Sequence, residues 1–160
     1  MHPDRKQWPA LAALLALCLT VGLIGGYATA QSLDGWYLAI NRPNWTPPSW
    51  IFAPVWTALD VIMAVAAWLV WKRDVHFTGV RLALVFFFVQ LLFNCLWPFI
   101  FFTANAIGWA LVDIVLMWIA LGFTTLAFFG ISRLAGALLL PYLAWTSFAA
   151  FLNYAIWRMN

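Results

Sequence analysis

Five apolar stretches, each long enough to cross a bilayer, dominate this sequence. They run Trp8–Ala30, Trp50–Trp71, Val80–Phe102, Ala106–Phe129 and Leu134–Trp157, with polar or proline-rich connectors between them. A hydrocarbon core takes about 20 helical residues to span. Lipid offers no hydrogen bonds, so each stretch must satisfy its own backbone, and an unbroken apolar run does so as a helix. A membrane strand would alternate apolar and polar residues, which these stretches do not. The expected fold is therefore an all-α integral membrane protein, a five-transmembrane-helix bundle. No internal repeat stands out, and one bundle uses up residues 1–160, so the chain reads as a single membrane domain.

Composition agrees. The chain is 66% hydrophobic and only 8% charged, which excludes a soluble enzyme and a disordered tail. Its net charge of +3 comes from eight Lys and Arg with no basic run, so no nucleic-acid partner is expected. Cys18 and Cys95 fall in apolar runs without CxxC spacing, and His2 and His76 lie in polar connectors. The cysteines read as small apolar side chains, not as a metal site or a disulfide framework. The first stretch also carries features of a leader: Arg5 and Lys6 precede it, and Ala28-Thr29-Ala30 looks like a signal-peptidase site. Its apolar run is long for a signal peptide, so it reads as a first helix that stays.

Basic residues orient the bundle. Arg5, Lys6, Lys72, Arg73, Arg81 and Arg133 fall on one side, Arg42 and Arg158 on the other. The positive-inside rule then places the N-terminus inside and the C-terminus outside. Gln31–Ser49 becomes a long outer loop between helices 1 and 2. Long ordered connectors tend to be functional.

Polar groups inside spans are costly and need a reason. Asp60, Gln90, Asn94, Asp113 and Asn153 are such groups. Trp56 and Asp60 are i,i+4; Gln90, Asn94 and Trp97 follow i,i+4,i+7; Trp145, Ala149 and Asn153 follow i,i+4,i+8. Each helix thus carries one stripe combining an indole with an amide or acid, expected to face inward. The stripes read either as interhelical hydrogen bonding or as the lining of a cavity, and three indoles at similar depth favour the cavity. Trp8, Trp50, Trp68, Trp71, Trp109 and Trp157 fit an interfacial belt. Trp56, Trp97, Trp118 and Trp145 lie deeper, where an indole needs a partner for its N–H. Pro54, Pro98 and Pro141 are expected to bend their helices. Gly22 and Gly26 form a small-xxx-small pair for close packing.

The densest signal is Trp36-Tyr37 followed by Asn41-Arg42-Pro43-Asn44-Trp45-Thr46-Pro47-Pro48-Ser49-Trp50. Three prolines make this a shaped loop, and Ser49 is placed to cap the second helix. Arg42 is the only cation of this connector and pairs either with a ligand carboxylate or with Asp34.

These segments resemble the translocator protein family, also called tryptophan-rich sensory proteins or peripheral-type benzodiazepine receptors. The likeness extends through Pro54-Val55-Trp56-Thr57, Gln90-Leu91-Leu92-Phe93-Asn94-Cys95-Leu96-Trp97, Asp113, Pro141-Tyr142-Leu143-Ala144-Trp145 and Leu152-Asn153-Tyr154, nearly the whole chain. The resemblance implies five helices, a homodimer, and a pocket for porphyrins, sterols and synthetic isoquinoline-type ligands. It implies that Trp56 and Trp145 line the pocket, with Tyr37, Gln90 and Asn94 near it, and that no cofactor is required. It also implies a bacterial cell membrane and a role in sensing or regulating tetrapyrrole metabolism. Asp60 departs from the Tyr that is frequent in the family and alters the pocket floor. Leu152, Tyr154 and Arg158 fit a loose sterol-recognition pattern, though an interfacial helix end accounts for them better.

The candidate ligand-binding set is therefore Tyr37, Arg42, Trp56, Asp60, Gln90, Asn94, Trp97, Asp113, Trp145 and Asn153. The leading function is a membrane receptor, sensor or carrier for a porphyrin. The alternatives are light-dependent porphyrin degradation and proton-coupled transport through Asp60 and Asp113. No nucleophile–base pair supports ordinary catalysis.

Overall fold

The structure, a computed structural model, describes residues 7–73 and 78–160. Arg5, Lys6, His2 and His76 lie outside the described residues. Six helices follow in order: α1 Gln7–Leu33, α2 Trp36–Ala39, α3 Ser49–Trp71, α4 Thr78–Pro98, α5 Ile107–Ile131 and α6 Arg133–Met159. A π-helical turn, Phe99–Thr103, extends α4. Counting that turn with α4, five helices are long and apolar enough to cross a membrane, each starting and ending within three residues of the expected span.

The five long helices close a ring in the order α1–α3–α6–α5–α4. Between lipid-soluble helices there is no hydrophobic drive, so close packing and polar contacts must hold the ring. Small residues permit the approach: Ala64, Ala66, Ala67, Ala83 and Ala135 are fully buried. Large apolar side chains such as Leu23, Trp50, Trp109 and Leu126 face outward, as a lipid-exposed surface requires.

The two ends are fastened differently. At one, the Trp68 indole N–H donates to the Gln7 carbonyl at 2.9 Å, and Trp8 stacks on Trp68. Lys72, Arg73, Arg81 and Arg133 all belong to this end. At the other, Ser32 Oγ donates to the Phe102 carbonyl at 2.8 Å. Arg42 and Arg158 belong here, with the α1–α3 connector.

Several local expectations change. Pro98, expected to bend its helix, is followed by a π turn, closed by Ala104 N–H to the Phe99 carbonyl at 2.8 Å. A proline disrupts the i→i−4 ladder, and a wider turn absorbs that disruption. Asn105 then turns the chain at φ 55°, a left-handed position that Asn tolerates. Ser49 does not cap α3, because Pro48 occupies the cap position and Ser49 is already helical. Ser132 does cap α6, accepting from Ala135 N–H at 3.4 Å. The close approach of α1 uses Gly22 and Gly25, not Gly26. A side chain at Gly22 would overlap the Asp60 carboxylate, one at Gly25 would press on the Pro98 ring, and Gly26 faces open space.

Candidate functional site

All five intramembrane polar residues singled out in the sequence are buried. They do not form one cluster.

The central group sits between α4 and α6. Tyr142 Oη donates to Gln90 Oε1 at 3.0 Å and accepts from Asn94 Nδ2 at 3.0 Å. Gln90 Nε2 reaches Met63 Sδ of α3 at 3.7 Å, and Met117 Sδ of α5 lies 3.8 Å from the hydroxyl. Four helices thus meet at one phenol. The Trp56 ring meets Tyr142 edge-on, 6.1 Å between centroids. Tyr142 was not among the expected site residues. Its signal is a hydroxyl deep in an apolar span, which enters the sequence analysis only as part of the segment resembling the family.

A second group lies nearer the connector. Trp97 Nε1 donates to Asn153 Oδ1 at 3.0 Å, and Asn153 Nδ2 donates to the Ile107 carbonyl at 3.0 Å. Ile107 opens α5, so this bond ties α6 to the start of α5. Trp97 also stacks on Phe101 at 5.1 Å.

Two aromatic rings lie against Trp145. Phe52 meets it edge-on at 5.9 Å and Phe148 lies at 5.4 Å. Trp45 of the connector lies against Phe148 and stacks on Phe151 at 5.4 Å, 18° from parallel. The connector thus lays an indole on α6. The Trp145 indole nitrogen is buried and has no hydrogen-bond partner. So are Asp60 Oδ1, Asp113 Oδ2 and Thr146 Oγ1. An unmade bond at a buried donor costs about 1–3 kcal/mol, so such atoms mark places where something is missing or strain is stored.

Asp60 stands apart. Although one turn from Trp56, its carboxylate packs against Gly22 of α1, whereas Trp56 reaches Tyr142 of α6. Trp118 lies midway along α5 and is 42% exposed on the bundle's outside, and its N–H finds the expected partner in Ser147 Oγ at 2.7 Å. The sterol-pattern residues do not share a face. Leu152 is 5% exposed inside the bundle, while Tyr154 and Arg158 point outward, Tyr154 beside Trp157. Two residues along a helix turn by about 200°, which separates them.

The connector itself is built. Thr46 closes a turn on the Pro43 carbonyl through its N–H at 3.0 Å and its hydroxyl at 2.7 Å. Asn41 and Asn160 interlock: Asn41 N–H donates to Asn160 Oδ1 at 2.9 Å, and Asn160 Nδ2 donates to the Asn41 carbonyl at 2.9 Å. Tyr37 is buried against Phe101 and Phe102 and carries the Arg42 guanidinium 4.5 Å above its ring. Beside it opens a cavity of about 600 Å³, walled by Asp34, Tyr37, Asn41, Arg42, Thr46 and Ser49 among others.

Fold and site together define a five-helix integral membrane protein whose interior is seamed with amides and indoles beneath a structured loop. The chain belongs to the TspO/MBR family, whose pattern matches residues 14–158. It is 40% identical to the tryptophan-rich protein TspO of Chlorobaculum tepidum over 97% of this chain and 98% of that one. It is 44% identical to the human translocator protein, over 95% of this chain and 90% of that one. The tryptophan-rich sensory protein of Cereibacter sphaeroides is 36% identical, over 96% and 93%.

Proposed function

We propose that this protein is a membrane receptor or sensor that binds a planar hydrophobic ligand, a porphyrin, between α3 and α6. The observation that carries the reading is the half-buried Trp145 indole: its ring lies against Phe52 and Phe148, and its buried N–H has no partner. A flat π-system is what such a wall receives with least cost, through offset stacking and an acceptor for the indole. Trp56 supplies the second indole on α3, and the Gln90–Tyr142–Asn94 group braces the helices behind it. Sterol binding and a homodimer belong to the same reading, with less to support them on this chain. Its relatives include a tryptophan-rich sensory protein and a translocator protein, in keeping with a receptor or sensor role.

The test is a titration of purified protein with protoporphyrin IX, followed by the shift of its visible absorption. A saturable shift is expected for the parent protein. Replacing both Trp56 and Trp145 by Leu is expected to weaken binding about tenfold or more. Unchanged affinity in the double variant removes this site.

A further inference from the structure

We propose that the cavity beside Arg42 is a carboxylate-binding site, taking the acidic edge of an amphipathic ligand whose apolar body enters the bundle. The inference rests on the porphyrin-binding reading and adds to it the group that recognises the ligand's charge.

Arg42 is half-buried, and its cation needs a countercharge or an electron-rich face. Asp34 lines the same cavity, yet the contact that the structure gives the guanidinium is the Tyr37 ring at 4.5 Å, not that carboxylate. A guanidinium held over an aromatic face keeps its N–H donors at its edges. Those donors form the fork that a planar carboxylate meets with two parallel bonds. Stacking also holds the plane in place, so less freedom is lost when the anion arrives.

The walls are preformed. Asn41 is fastened to Asn160 through both its N–H and its carbonyl, Thr46 closes its turn on Pro43, and Pro43, Pro47 and Pro48 restrict the chain between. Tyr37 is fixed from behind by Phe101 and Phe102.

Depth supports the same ligand chemistry. A carboxylate carried to the middle of a bilayer would be expensive. A receptor for an acidic amphiphile therefore needs its cation at the membrane surface and its apolar wall below. Arg42 lies at the connector end, and Trp45 of the same loop reaches down onto Phe148, a neighbour of Trp145. Asp34 in the same cavity adds one negative charge, which disfavours a dianionic phosphate more than a single carboxylate.

The experiment uses the full chain in nanodiscs of zwitterionic phosphatidylcholine, titrated with protoporphyrin IX and with its dimethyl ester. The parent protein is expected to bind the diacid about tenfold more tightly than the ester. Arg42→Gln is expected to remove that preference while leaving the ester's affinity unchanged. Asp34→Asn, which alters the cavity charge in the opposite sense, is expected not to weaken the diacid. Equal weakening of acid and ester by Arg42→Gln would make Arg42 structural and overturn the inference. So would weakening of the diacid by Asp34→Asn, which would mean that the two residues act as an ion pair. Equal affinity of the parent for acid and ester would overturn the inference as well, since the cavity would then not recognise the carboxylates. If the parent bound neither form, the porphyrin reading itself would fall, and this inference with it.

Discussion

Tyr142 and Trp145 stand three residues apart on α6 and carry opposite energetics. The Tyr142 hydroxyl satisfies two amides, Gln90 and Asn94, inside the buried core. Tyr142→Phe leaves both amides short of a partner and is expected to lower stability by about 1–3 kcal/mol, read as a fall in Tm of the detergent-solubilised protein. The Trp145 N–H satisfies nothing. Trp145→Phe is expected to leave Tm nearly unchanged while weakening porphyrin binding, since deleting an unpaired donor forfeits no bond. A large drop in Tm for Trp145→Phe would show that the indole is packing alone. Gly22 makes a third case: a methyl there collides with the Asp60 carboxylate. Gly22→Ala should cost about 1–3 kcal/mol, and Asp60→Ala in the same chain should recover part of it. Two additive losses would mean that the contact does not couple these residues.

At the scale of elements, the connector between α1 and α3 behaves as a fastened cover and not as a tether. Its hold is polar at Asn41–Asn160 and aromatic at Trp45–Phe151. Removing the first through Asn160→Ala should leave helix content unchanged and speed amide hydrogen exchange across 41–48. Faster ligand dissociation should accompany it, since a loosened cover changes release more than encounter. Unaltered exchange would show that Trp45 holds the segment without help. The π turn after Pro98 is a second device at this scale. It lets one continuous element pass a proline that packs on Gly25, so α1 and α4 approach closely where a regular helix would be interrupted.

The whole molecule is a closed ring of five helices, with Lys72, Arg73, Arg81 and Arg133 at one end and the structured connector, with Arg42 and Arg158, at the other. In a membrane, that asymmetry sets direction. With Cys18 and Cys95 replaced by Ala, Asn44→Cys is expected to react with a membrane-impermeant maleimide in intact cells. Arg133→Cys should react only after permeabilisation. The reverse pattern would invert the assigned topology.

Span number, span limits and the inward stripes were legible along the chain, because lipid leaves each apolar run one way to pair its backbone and gives buried polar groups one direction to face. That is why Asp60, Gln90, Asn94, Asp113 and Asn153 could be named as buried before any fold was drawn. The order of helices around the ring could not be read, since apolar faces are nearly interchangeable against lipid and packing alone chooses neighbours. Partners followed from that choice. Only the fold put Asp60 on Gly22, joined Gln90 and Asn94 through Tyr142, and sent Trp118 outward to Ser147. It also took Arg42 away from Asp34 and laid it on Tyr37. A residue's depth is set by its distance along a helix, which sequence counts directly. Its partner is set by side-chain contacts between segments far apart in the chain, which only tertiary structure brings together.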